Sequence, residues 1–235
     1  MLQVVYPAEP HTFLKVNPNA PCGCANGGCV YDYKEKKLLW HVDMPRTVFE
    51  LVDYVDKNMP SVGIEICGYD KIFFYKMNDA TETHRINEHF EDIRCHYNDV
   101  DEVIAKILFA DNDETSILAL ADMLASHPKA KAFDFIRSDK PYYEILPGGV
   151  NKGNVISKLS DITGVGIDRI VAVGDNDNDA PMLREAGVGI AVSNASPMAK
   201  SAADIITVSN EEDAIARVIE DIENGRILQK TKEIG

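Results

Sequence analysis

Three aspartates stand within five residues in Gly174-Asp175-Asn176-Asp177-Asn178-Asp179, directly after the apolar run Ile170 to Val173 and before a helical pattern. Carboxylates this close repel one another, so the spacing makes chemical sense if a hard divalent cation neutralises them, most simply Mg2+ with oxygen ligands and retained waters. The competing reading is a solvated acidic turn. An EF-hand calcium loop is excluded, because counting from Asp175 puts Ala180 where glycine is required and Ala186 where glutamate is required. Asp111-Asn112-Asp113 fails likewise, with Ser116 in place of the glycine. A second candidate is Gly148-Gly149-Val150-Asn151-Lys152-Gly153, a loop that opens a helix with a lysine in its first turn. Free N–H groups and the positive end of the helix dipole favour an anion there, and Lys152 adds a full charge. Alone, such a lysine is more often a solvated surface residue. Beside the acidic loop it gains meaning: a cation at Asp175 and an ammonium from Lys152 could clamp one phosphoryl group from two sides.

These residues require a scaffold that brings loop and helix start together. After Pro147-Gly148-Gly149 the chain alternates strictly between strand and helix patterns: helix Lys152 to Thr163, strand Ile170 to Val173, helix Pro181 to Ala186, strand Val188 to Val192, helix Pro197 to Ala202, strand Ile205 to Val208 and helix Asp213 to Glu223. Near-continuous apolar strands between helices mean a parallel sheet covered on both faces. Ligands of such sheets bind at the carboxyl ends of strands, where the acidic loop sits. Upstream the pattern differs. Thr47 to Lys57 reads as a helix followed by strands Val62 to Ile66 and Lys71 to Tyr75 around Cys67-Gly68-Tyr69-Asp70. Ala105 to Phe109 is a strand, Glu114 to Ser126 an amphipathic helix, and Ala132 to Arg137 with Tyr142 to Leu146 a second strand pair. The two α-β-β units, joined by a polar link over about Asn78 to Asp101, suit a small α+β domain with one open sheet. Gly27 to Asp32 and Lys37 to Trp40 read as a hairpin.

Two tempting stretches carry no chemistry. Gly187-Val188-Gly189 follows a helix rather than a strand, so it is not a dinucleotide fingerprint. Asn194-Ala195-Ser196 reads as a turn that caps the next helix.

Composition limits the partners. The 235 residues include 24 Lys+Arg and 38 Asp+Glu, a net charge of −14 that repels phosphate backbones and disfavours nucleic-acid binding. No apolar run approaches the roughly 20 residues of a membrane span, and no secretory signal is visible, so the expected location is the cytoplasm. Five cysteines without secretory context read as reduced thiols. The spacing Cys22-x-Cys24-x4-Cys29 lacks the paired C-x2-C of a zinc site, and the six histidines show no ligand pattern.

The order Glu144-Ile145-Leu146-Pro147-Gly148-Gly149-Val150-Asn151-Lys152-Gly153, Gly174-Asp175-x-x-Asn178-Asp179, Gly187-x-Gly189-x-Ala191-Val192-x-Asn194-Ala195, then Ala203-Asp204 and Ser209-Asn210 resembles the C-terminal half of a haloacid dehalogenase superfamily phosphatase of the Cof type. The two α-β-β units resemble that family's inserted cap, and Asn26-Gly27-Gly28 resembles its Asn-Gly loop before the cap. The resemblance implies an α/β fold, a Rossmannoid parallel-sheet core incomplete at the N-terminus, with residues 1–42 a remnant of its first part, 43–144 the α+β cap domain and 145–235 its C-terminal part. It implies that Lys152 binds phosphate and acts in catalysis, that Asp175 is a Mg2+ ligand, that Asn178 and Asn26 contact phosphate, and that Asp179 orients the site. The implied reaction is Mg2+-dependent hydrolysis of small phosphorylated metabolites, of the sugar-phosphate type, through an aspartyl-phosphate. The implied partner is a small-molecule phosphate ester, with no nucleic acid and no membrane, and the oligomeric state is not readable. The family's Asp-x-Asp-Gly-Thr nucleophile motif and its Thr-Gly-Arg segment are not in the sequence. The stretch Met1 to about Lys15 corresponds to the segment after them, so a strand, a helix and a strand, roughly 40 residues, are expected to be missing and the chain to be inactive by itself. Two alternatives stay open: a non-catalytic fragment or small-molecule-binding module, and a phosphomutase-like phosphoryl transferase.

Overall fold

The computed structural model describes residues 18–69 and 71–227; the expectations for Met1 to about Lys15 and for Asp70 lie outside them. In chain order the elements are β1 (Cys22–Cys24), β2 (Cys29–Asp32), β3 (Lys37–His41), α1 (Phe49–Asn58), β4 (Gly63–Gly68), β5 (Ile72–Lys76), α2 (Asp79–Asn87), β6 (Ile104–Ala110), α3 (Glu114–Ala125), β7 (Phe133–Asp139), β8 (Tyr142–Pro147), α4 (Lys152–Thr163), β9 (Val171–Gly174), α5 (Ala180–Glu185), β10 (Val188–Ala191), α6 (Pro197–Ala202), β11 (Ile205–Ile206) and α7 (Ala214–Glu223). The described residues form two compact units, one of residues 42–150 and one of residues 18–41 with 151–227.

In the unit of residues 42–150, five strands form one antiparallel sheet in the order β5-β4-β6-β8-β7. Alternation along each strand divides its side chains between two faces. Ile64, Ile66, Ile107, Phe109 and Ile145 share an apolar core with Leu51, Val52 and Val55 of α1 and Ile117, Leu120 and Leu124 of α3. Glu65, Cys67, Lys106 and Glu144 fall at the other parity, and all four are buried. Register places Cys67 opposite Lys106 and Glu144 opposite Leu108. The Lys106 ammonium pairs with Glu144 at 2.7 Å, and His84 of α2 reaches both Glu65 oxygens at 2.9 and 3.0 Å. Burial raises the Glu65 carboxyl against the opposing pull of His84.

The polar link expected over Asn78 to Asp101 contains helix α2. Its composition hides it, because only Ala80 and Thr81 are buried and no apolar stripe exists to detect. A capping box starts it instead: the Asn78 side chain accepts the Thr81 N–H at 3.0 Å, and Thr81 Oγ1 accepts the Asn78 N–H at 2.8 Å.

In the other unit, β9, β10 and β11 form a parallel sheet in the order β11-β10-β9, with Val188 beside Val171 and Ile190 beside Ile205. Its core is built largely of small side chains, Ala172, Ala180, Ala191, Ala195, Ala199 and Ala202, together with Ile156, Met182 and Leu183. Small residues let helices approach the sheet closely: a Cβ at Gly189 would stand 2.1 Å from the Leu183 carbonyl oxygen. The last strand is shorter than expected, two residues rather than Ile205 to Val208. The antiparallel set β1-β2-β3 includes a first strand, Cys22–Cys24, that three residues were too few to reveal in sequence. Between β1 and β2 the backbone of Ala25, Asn26 and Gly27 is left-handed, with φ of 50°, 53° and 101°.

Candidate active site

Helix α4 begins where the sequence places it. The Asn151 side chain accepts the Gly153 N–H at 2.9 Å, and the Asn154 side chain accepts the Asn151 N–H at 3.0 Å. These caps fix the first turn and hence the start of the Lys152 side chain. Lys152 is only 6% exposed, so its ammonium requires a partner. That partner is Asp179, whose Oδ1 accepts directly from Lys152 Nζ.

The other oxygen of Asp179 organises the acidic loop. Oδ2 accepts the backbone N–H groups of Asp175 at 3.0 Å and Asn176 at 3.1 Å. Burial pushes the Asp179 carboxyl up, but the Lys152 hydrogen bond and charge and the two amides outweigh it and hold the group below its ordinary value. Gly174 gives Asp179 its room, since a Cβ there would stand 2.5 Å from the Asp179 Cβ. Asp177 accepts the Ser196 hydroxyl at 2.5 Å, and the Asp175 carbonyl accepts the Ser196 N–H at 2.8 Å. Ser196 also caps α6, as the turn at Asn194-Ala195-Ser196 suggests.

The three aspartates therefore differ in state. The sequence expectation was a divalent cation that offsets the acidic loop, with Asp175 as its ligand and Asp179 orienting the site; in the structure Asp179 is neutralised by Lys152 and Asp177 is bound to a hydroxyl. Among the described residues the Asp175 carboxylate makes no hydrogen bond or ion pair, and no three acidic, histidine or cysteine side chains are arranged to hold a metal. A single carboxylate at the end of a strand fits Mg2+, which keeps several waters and takes one or two protein carboxylates. Asn178 lies half-buried in the same loop.

Asn26 is buried in the left-handed turn between β1 and β2. That turn lies against the start of α4, because a Cβ at Gly27 would stand 2.1 Å from the Asn151 carbonyl oxygen and 3.0 Å from the Lys152 nitrogen. The fold thus gathers Lys152, Asp175, Asn178 and Asp179, and brings the Asn26 turn to the backbone of Asn151 and Lys152. Beside Asp175 runs a groove of about 430 Å³ along β9, lined by Val173, Val192, Asp213, Ala214 and Ile215 among others. Among the described residues β9 is an edge strand, paired with β10 only. Sequence reasoning missed the Lys152–Asp179 pair, whose members stand 27 residues apart. The one available signal was that a lysine in a buried helix start needs a carboxylate.

Comparison with known proteins adds a family. The sequence profile of the haloacid dehalogenase-like hydrolases matches residues 7–219. The chain is 31% identical over 162 residues to the Bacillus subtilis protein YxeH, covering 66% of this chain and 58% of YxeH. It is 32% identical over 190 residues to the 5-amino-6-(5-phospho-D-ribitylamino)uracil phosphatase YitU of Bacillus subtilis, covering 77% of this chain and 68% of YitU. A crystal structure of a haloacid dehalogenase-like hydrolase from Bacteroides thetaiotaomicron superposes with a TM-score of 0.73 at 24% identity, covering 86% of this chain and 76% of that one. The chain thus spans well under two thirds of the length of YxeH.

Proposed function

The chain belongs to the haloacid dehalogenase-like hydrolases, and from that premise we propose that it forms the phosphate- and Mg2+-binding part of a hydrolase of small phosphate monoesters. The observation that carries this reading is the buried Lys152–Asp179 pair, set by two backbone amides at the carboxyl end of β9. Asp179 holds the Lys152 ammonium in one place, and an ammonium has three donors, so Lys152 can give another hydrogen bond to a phosphoryl oxygen. In this reading Asn178 and Asn26 supply the remaining phosphate contacts. Asp175 is the residue that would hold Mg2+, which when bound lowers the charge on the phosphoryl oxygens.

We assign the covalent step, formation of an aspartyl-phosphate, to a carboxylate that no motif in these 235 residues supplies. The edge of β9 that is unpaired among the described residues and its apolar groove, with Asp175 at the mouth, suit a further parallel strand that would bring such a carboxylate beside the metal ligand. By itself the chain is then expected to bind but not turn over substrate. In this reading residues 43–144 are the cap that selects the substrate, within the compact unit of residues 42–150. YitU is named for a phosphorylated ribityl compound, which sets the size of ester to test first. No helix among the described residues is long and apolar enough to cross a membrane. The cysteines are free thiols, which suits the reducing cytoplasm to which we assign the protein.

The test is to translate the genomic DNA upstream of the Met1 codon in frame and to assay the resulting protein for phosphate release. A strand-helix-strand carrying Asp-x-Asp-Gly-Thr, with activity lost in Asp175→Asn, supports the proposal. Stop codons directly upstream, or unaltered activity of the Asp175→Asn protein, overturn it.

A further inference from the structure

A second chemically competent cluster lies in the β1–β2 hairpin and takes no part in the proposed reaction. In an antiparallel ladder directly opposed residues have Cα atoms about 4.5 or 5.5 Å apart, and a disulfide accepts about 4.4–6.8 Å. Cys24 and Cys29 are directly opposed. Both are 3% exposed and both are free thiols, and each shifts the titration of the other. The Tyr33 hydroxyl is in hydrogen-bonding contact with Cys24 Sγ at 3.5 Å.

The two thiols are not equivalent. The hydrogen bond from Cys29, assisted by Tyr33, pulls the Cys24 thiol down against the effect of burial. The same contact, with burial, drives Cys29 up. Cys22 lies two residues along β1 from Cys24, opposite Tyr31, and burial pushes its thiol up to about 11. Cys24 is thus the sulfur that reaches the thiolate, and Cys29 is the one placed to resolve it. A zinc reading has no support, since no group of three ligating side chains is arranged for a metal among the described residues.

We propose that Cys24 and Cys29 form a redox-active dithiol that a small peroxide closes to a disulfide, clamping the left-handed turn of Ala25, Asn26 and Gly27. The Cys24 thiolate attacks one peroxide oxygen, the O–O bond breaks, and the leaving hydroxide takes a proton to become water. The Cys29 sulfur then attacks the Cys24 sulfenic acid as its thiol proton is lost, the S–O bond breaks, and a second water leaves. Two thiols and one hydrogen peroxide give one disulfide and two waters. The burial of both sulfurs restricts the oxidant to a small molecule. The inference stands on the hairpin alone and does not depend on the phosphatase reading.

The experiment treats the full 235-residue chain with hydrogen peroxide, blocks remaining thiols, and cleaves the two Asn–Gly bonds, Asn26–Gly27 and Asn224–Gly225, with hydroxylamine. The expected result is that residues 1–26 stay joined to residues 27–224 until a thiol reductant is added, with the mass of the uncleaved chain lower by two hydrogens. Cys22→Ser keeps the link, and Cys29→Ser abolishes it and leaves a sulfenic acid on Cys24 that dimedone traps. Residues 1–26 that separate from residues 27–224 without reductant overturn the proposal, as does a link that the Cys22→Ser chain loses.

Discussion

Asp179→Asn removes the charge that holds Lys152 while keeping the shape of the side chain. The carboxylate accepts from Lys152 on one oxygen and from the Asp175 and Asn176 amides on the other. An asparagine can face its oxygen only one way, so either the ammonium or the two amides meet an NH2 group instead of an acceptor. Lys152 and Asp179 have side chains 7% and 6% exposed, so water cannot replace the lost partner. Breaking a buried pair from one side costs about 3–5 kcal/mol, a large part of the 5–15 kcal/mol, roughly, that holds a domain folded. Urea unfolding followed by circular dichroism reads this as a fall in the midpoint. Acid supplies a second reading. Asp179 is depressed in the folded state, so its contribution is full above its unfolded value, about 3.9, and is lost as pH falls through the lower folded value. The gap between wild type and Asp179→Asn should therefore narrow below about pH 4. A variant within about 0.5 kcal/mol of wild type at neutral pH, the range of an ordinary surface change, would refute the buried pair.

Three further outcomes follow from other positions. Gly27→Ala forces a Cβ onto a left-handed residue and to 2.1 Å from the Asn151 carbonyl, so amide exchange across Asn151 to Asn154 should accelerate at least tenfold, about 1.4 kcal/mol. Lys106→Met removes the ammonium that stands 2.7 Å from buried Glu144 and should cost about 3–5 kcal/mol by urea unfolding, while Lys106→Met with Glu144→Leu should recover most of it. Gly189→Ala places a Cβ 2.1 Å from the Leu183 carbonyl; a lowered melting temperature is the expected result in calorimetry, because backbone rather than a flexible side chain must move.

Where the sequence carried a physical signal, it was legible. Helix α4 runs over Lys152 to Thr163 as its pattern indicates, because Asn151 caps it and Val155 and Ile156 are buried. The parallel arrangement of β9, β10 and β11 follows from short apolar runs separated by helices. Helix α2 was hidden, since its stability rests on a capping box and one buried His84–Glu65 contact rather than on an apolar stripe. That the fold brings Lys152 to the acidic loop was legible, and the wiring between them was not. Composition alone presents Asp175, Asp177 and Asp179 as equivalent anions; only the fold shows that Lys152 claims Asp179 and that Ser196 engages Asp177. Lys106 gave no hint either, since its partner Glu144 lies on β8, a different strand of the sheet.

The most direct test of the proposed phosphate site is a 15N NMR titration of the chain with inorganic phosphate, in the presence and absence of Mg2+. The account predicts that the amides of Lys152 and of Asp175 to Asp179 respond first, that Mg2+ strengthens the response, and that Asp175→Asn removes the Mg2+ effect while Lys152→Met removes the phosphate response in a chain that keeps its spectrum elsewhere. Phosphate that leaves these amides unmoved, or moves them equally in Lys152→Met, would contradict it.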